Sequence, residues 1–271
     1  MKLLEYELEQ RGTGLVVTFP HLGSAPHATS TRQGGVSTGI YDSLNLGLMS
    51  GDDLAIVDRN RQIFSDMLGI PIVQNLSMTH GIQVAHVRGP QDMQRPHDAD
   101  ACISNHPEVS LSLTTADCVP IFFHDPVARA VGLAHAGWRG TVNGIAARVV
   151  EAMAAQFQSQ PENLQVALGP AIGACCFEVG PEVAEEFHAQ YGSQDWIESR
   201  GVKWHIDLHQ ANRIWLERSG VSSENIRSCS LCTCCNTDLF YSWRRENGKT
   251  GRLLSAIALQ ASPGTKQGKR P

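Results

Sequence analysis

One stretch constrains this chain more than any other: residues 110 to 154, SLSLTTADCVPIFFHDPVARAVGLAHAGWRGTVNGIAARVVEAMA. A strand-like run leads into Asp117-Cys118-Val119-Pro120. Two apolar runs follow across a short turn, the second ending at His135. After Gly137-Trp138-Arg139-Gly140 comes a segment in which Val142, Ile145, Ala146, Val149, Val150, Met153 and Phe157 recur at helical spacing, which predicts an amphipathic helix with Thr141 as its N-cap. Cys118 and His135 therefore fall at strand ends, and Arg139 enters a helix N-terminus. Such junctions are where mixed α/β chains place polar chemistry.

The rest reads as alternating strands and helices. Strands are predicted at 14–19, at 75–87 with a break at His80-Gly81, at 100–104, 109–115 and 164–168, at 239–245, and at 251–259. Helices are predicted over 53–68, from Pro181 to about Tyr191, and through Glu217. No repeat and no interior linker divides the chain, so one domain is expected over 1–260. The Gly/Pro/Lys-rich residues 261–271 are expected to be a disordered tail. A length of 271 residues allows a sizeable core, and the net charge of −5 points to no nucleic-acid partner. Acidic residues occupy the N-terminus where a signal peptide needs an apolar core, and no run spans a bilayer; the expectation is a cytoplasmic protein with reduced thiols.

Sulfur and imidazole recur at the predicted turns. His80, Cys118 and His135 lie on three separate segments, a pattern unlike a zinc finger but suited to a catalytic zinc with one open position. Cys118 with His135 and Asp117 also fits a thiol nucleophile with its base and orienter. Cys229, Cys232, Cys234 and Cys235 leave structural metal, free thiols and redox chemistry all open, although four ligands within seven residues crowd a tetrahedral shell. Arg32, followed by Gly34-Gly35, and Arg139 are candidates to clamp an anion, with Arg61 and Arg244 in reserve. Trp138, Phe177 and Tyr241 are candidates to stack on a flat ring.

Taken in order, Ser30 to Ser37, Ser43 to Gly47, Asn60-Arg61, His80-Gly81, Asp100-Ala101, Thr115 to Pro120, His135 to Gly140, Gly169 to Gly173, Phe177 to Gly180, Cys232-Thr233, Ser242 to Arg245 and Thr250 to Arg252 resemble the YfiH family. That family is also known as laccase-like multicopper polyphenol oxidases, as peptidoglycan editing factors and as bacterial relatives of FAMIN. The resemblance implies a single α+β domain with mixed β-sheets flanked by helices, and Zn2+ on His80, Cys118 and His135. It implies a purine nucleoside phosphorylase acting on adenosine, inosine, guanosine or methylthioadenosine with phosphate, some members also deaminating adenosine. Asp117, Arg139 and Cys118 would then be catalytic, with Arg32, Arg61 and Arg244 toward phosphate. Three other readings stay open: a peptidoglycan-precursor hydrolase using Cys118, a copper polyphenol oxidase, and a non-enzymatic purine- or partner-binding protein. The chain has 11 histidines but no His-x-His pair, which argues against a multicopper centre. Two departures from the family pattern, Met78 and Trp243, bear on the pocket wall. Preferred nucleoside and oligomeric state are not legible.

Overall fold

The computed structural model describes residues 5–260, so the expected tail at 261–271 lies outside the described residues. Two large sheets stack face to face. The first has the strand order β1 (Glu7–Arg11), β2 (Gly14–Thr18), β3 (His27–Ser30), β14 (Leu253–Ala258), β6 (Ser110–Thr115), all antiparallel. The second runs β13 (Ile226–Ser228), β9 (Gln165–Leu168), β7 (Val119–Asp125), β8 (Ala130–Ala136), β5 (Ala101–Ser104), β4 (Val84–His86), antiparallel at its centre and parallel at both edges. A small third sheet joins β10 (Glu178–Val179), β12 (Lys203–Ile206) and β11 (Ile197–Arg200).

Side-chain alternation along the strands assigns the layers. Val17, Leu111, Leu113, Leu253 and Ile257 of the first sheet meet Cys102, Phe122, Val131, Leu133 and Ala167 of the second in one buried core. On the outer face of the first sheet, Val16, Ala28, Leu254 and Ala256 pack against Phe64 and Leu68 of α1 (Leu54–Leu68). Beyond the second sheet, Ile121, Phe123, Ala134 and Ala136 pack against helical residues. These come from α3 (Ile145–Phe157), α4 (Pro181–Tyr191) and α5 (Leu208–Arg218). The molecule is thus a single mixed α+β domain of helix, sheet, sheet and helix layers. Burial on both faces explains why β7 and β8 read as near-continuous apolar runs.

Four expectations are corrected. The predicted helix after Arg139 is two helices, α2 (Trp138–Val142) and α3, separated by Gly144 at φ +80°. Thr141 is not a cap. It sits buried inside α2, where its carbonyl accepts from Trp215 Nε1 at 2.9 Å and Tyr191 Oη at 3.0 Å. Residues 75–83 form no strand, because the amides of Thr79, His80 and Gly81 turn toward the Asp100 carboxylate. Residues 239–245 are also not a strand. They coil in turns, held by Phe240 N–H to Asn236 O at 3.0 Å and by Arg245 donating to the carbonyls of Thr233, Cys234 and Phe240.

Candidate active site

His80, Cys118 and His135 converge. Their donor atoms lie within 4.8 Å of one another, and the two imidazoles meet edge to face at 4.9 Å. His135 is the penultimate residue of β8 and Cys118 immediately precedes β7, the antiparallel partner strand, so the sheet register itself brings them together. His80 arrives from the irregular segment with φ +60°, a conformation an L-residue adopts only when its surroundings hold it.

The holding group is Asp100, fully buried. One carboxylate oxygen accepts from Thr79 N, Thr79 Oγ1 and Gly81 N, the last at 2.7 Å. The other accepts from His80 N at 2.9 Å and faces His135 Nδ1 at 3.0 Å. One carboxylate thus fixes the backbone of one imidazole and the tautomer of the other, leaving His135 Nε2 as its free donor. Burial opposes ionisation of Asp100, but the His135 contact and the backbone amides win and hold it well below the usual carboxylate range. Cys118 is pulled down to about 6 against desolvation by His135 and His80. His135 rises to about 9 against desolvation through Cys118 and Asp100. Gly137 completes the cradle: a Cβ there would stand 3.0 Å from His80 Cδ2 and 3.3 Å from Cys118 Sγ. Two imidazoles and a thiolate, oriented by a buried carboxylate, fit a borderline-soft divalent metal and not magnesium.

This set opens onto a cavity of about 410 Å³ walled by Trp138, Phe177, Trp243, Arg244 and Arg252. Asp117 lies at its edge with φ +88°, and its carboxylate is already engaged. It accepts from Thr233 Oγ1 at 2.6 Å, Ser242 Oγ at 3.1 Å and Arg244 N at 2.7 Å. The residue that orients His135 is therefore Asp100 rather than Asp117, whose bonds tie three loops of the wall together.

The arginines separate by position. Arg244 lines the cavity, donates to the carbonyls of Cys176 and Glu178, and faces Phe177. Arg61 lines an adjoining cavity of about 270 Å³ and donates to Leu46 O at 2.9 Å. Arg139 lies over the Trp138 indole at 4.2 Å, outside the lining. Arg32 is held by Asp42 O and Thr237 O and stacks on the buried Tyr241, neither of them in the lining. Arg252, overlooked as a candidate although Thr250-Gly251-Arg252 carried part of the resemblance, lines both cavities. Asp100 was likewise visible only as part of a motif.

The family model described as multi-copper polyphenol oxidoreductase laccase matches residues 26–260. This chain belongs to that family. It is 36% identical over 264 residues to a protein of Geobacillus stearothermophilus named purine nucleoside phosphorylase YlmD, covering 93% of this chain and 96% of the other. Identity is 39% over 244 residues to a purine nucleoside phosphorylase of Deinococcus radiodurans, covering 89% and 92%. It is 38% over 249 residues to purine nucleoside phosphorylase YfiH of Escherichia coli, covering 90% and 98%. The crystal structure of Geobacillus stearothermophilus YlmD superposes with a TM-score of 0.88 at 34% identity, covering 95% of this chain and 99% of that one. Among the described residues no helix is long and apolar enough to cross a membrane.

Proposed function

We propose that this chain is a zinc-dependent purine nucleoside phosphorylase. The observation that carries the reading is the convergence of His80, Cys118 and His135 on the floor of a cavity of nucleoside size with arginine and aromatic walls. The names of relatives at 36–39% identity support it. His80, Cys118 and His135 would hold the ion, which when bound supplies Lewis acidity toward the sugar or base. Phosphorolysis breaks the bond from C1′ to the purine nitrogen and joins a phosphate oxygen to C1′. The electron pair leaves with the base, which takes up a proton, and ribose 1-phosphate is the second product.

Trp138 and Phe177 present aromatic faces for the purine. Arg252, which lines both cavities, and Arg244 would hold phosphate, with Arg61 in reserve in the adjoining cavity; Arg32 and Arg139 lie outside the lining. Deamination of adenosine at the same centre is part of the proposal. The test is chromatography of adenosine incubated with metal-analysed protein. Adenine formed only with phosphate supports phosphorolysis, and inosine in either tube supports deamination. No product from fully loaded protein would sink both.

One observation favours a second reading. Cys118, His135 and Asp100 are also arranged as a thiol, a base and an orienting carboxylate. A hydrolase built on them, such as one acting on peptidoglycan precursors, would keep its activity after metal removal and lose it on alkylation of Cys118.

A further inference from the structure

Outside the cavity, four other cysteines meet. Cys175 and Cys176 lie on the turn between β9 and β10, and Cys232 and Cys235 on the turn after β13. Their sulfurs all lie within 4.8 Å of one another. Cys235 Sγ is 3.6 Å from Cys175 Sγ and 3.4 Å from Cys176 Sγ, too far for a disulfide at about 2.05 Å. Four thiolates about 2.3 Å from one tetrahedral zinc stand about 3.8 Å apart, which matches this spacing.

The expected crowding of four ligands within seven residues does not arise. Cys229 is buried in the core between the sheets, and Cys234 packs toward the helical layer. The Cys175-Cys176 turn supplies the missing pair. The turns are docked by backbone bonding: Ala171 and Cys232 form a β-bridge, and Thr233 N–H donates to Ala171 O at 2.9 Å.

The Cys232-x-x-Cys235 spacing also wraps amides around one sulfur. Gly173 N–H donates to Cys232 Sγ at 3.2 Å, and the N–H groups of Cys235 and Cys234 face the same atom. Four thiolates with no nitrogen or oxygen donor, spaced for one tetrahedral ion, select zinc or iron.

We propose that Cys175, Cys176, Cys232 and Cys235 hold one zinc ion in a closed, four-thiolate structural site. The ion pins together the two turns that build one wall of the cavity. Phe177 follows Cys176 directly, Arg244 donates to Cys176 O, and Thr233 donates to Asp117. Cys175 and Cys235 are exposed, so zinc reaches the site from solvent in the folded protein.

The test uses the full chain, reduced, loaded with zinc alone and desalted. Wild type should retain about two zinc ions per chain, one for each cluster. The His80→Ala/His135→Ala variant should lose half of that zinc. X-ray absorption on this variant should show four sulfurs at about 2.3 Å and no nitrogen. Cys176→Ser/Cys235→Ser should retain the other half, with nitrogen and sulfur donors, and melt at a lower temperature. The histidine variant leaves all four thiols intact, so the thiolate site is read even where the cysteine variant fails to fold. A folded histidine variant that holds no zinc, or shows nitrogen around the metal, overturns the assignment.

Discussion

Two sulfur-bearing clusters share one wall of this protein, and they differ in how they are closed. At His80, Cys118 and His135, three donors of two kinds face a cavity, and their orientation is set from behind by Asp100. At Cys175, Cys176, Cys232 and Cys235, four donors of one kind converge on one another outside the cavity. Three ligands with an open side let a metal engage substrate, whereas four ligands fill a tetrahedron and leave only a fold to stabilise. The strongest support also falls in different places. In the first cluster a buried carboxylate supports the ligands; in the second, peptide amides support a sulfur. The proposed chemistry in the one and the proposed scaffolding in the other rest on that difference.

The comparison breaks most sharply at His135. His135→Ala should abolish phosphorolysis and empty the open cluster while leaving the thiolate cluster loaded, checked by product chromatography and metal analysis. Wild-type turnover in that variant would remove the open cluster from the chemistry. Asp100→Asn should weaken metal retention or turnover about 10- to 100-fold, because the amide cannot accept every hydrogen bond the carboxylate accepts. Competition against a zinc indicator measures this, and an unchanged affinity would mean that the carboxylate is mere packing.

Arg252→Ala should raise the KM for phosphate by about tenfold, the scale of one lost charged hydrogen bond, and move the KM for adenosine less. Equal effects on both would place phosphate elsewhere. The smallest expected effect sharpens the distinction between the sites and the frame that carries them. Burial, opposed by the bond to Val166 O, lowers His21 to about 4 from its ordinary value of 6.5. Its neutral form stabilises the fold above pH 6.5, and that contribution is lost as pH falls from about 6.5 toward 4, costing about 1–2 kcal/mol after allowance for solvent screening. His21→Gln should flatten this part of the stability profile in urea titrations; an unchanged slope would assign the acid sensitivity to other groups.

Much of the frame was legible because strand burial leaves a direct imprint. The runs at 119–125 and 130–136 are buried throughout and largely apolar since both faces are covered, and α1 shows its ends through Asp53, which accepts from Ala55 N, and Gly69 at φ +68°. Cys118 and His135 were legible for the same reason, as polar residues terminating buried strands. His80 was marked by its glycine, but not the cause of its conformation, because Asp100 acts across sequence on backbone amides that carry no side-chain signature. The turns over 239–245 hid behind aromatic residues with strand-like composition, although backbone carbonyls captured by Arg245 dictate their path. The thiolate cluster was split between two segments far apart in sequence, so the spacing within 229–235 alone pointed to crowding. The parallel β13–β9 pairing and the Ala171–Cys232 bridge bring the halves together.

The central claim is tested most directly by stripping and restoring zinc while following adenine release from adenosine and phosphate. A mild chelator should empty the open cluster first, abolishing adenine release with little change in melting temperature, and added zinc should restore it. Full adenine release from protein whose His80, Cys118 and His135 hold no metal would contradict the account.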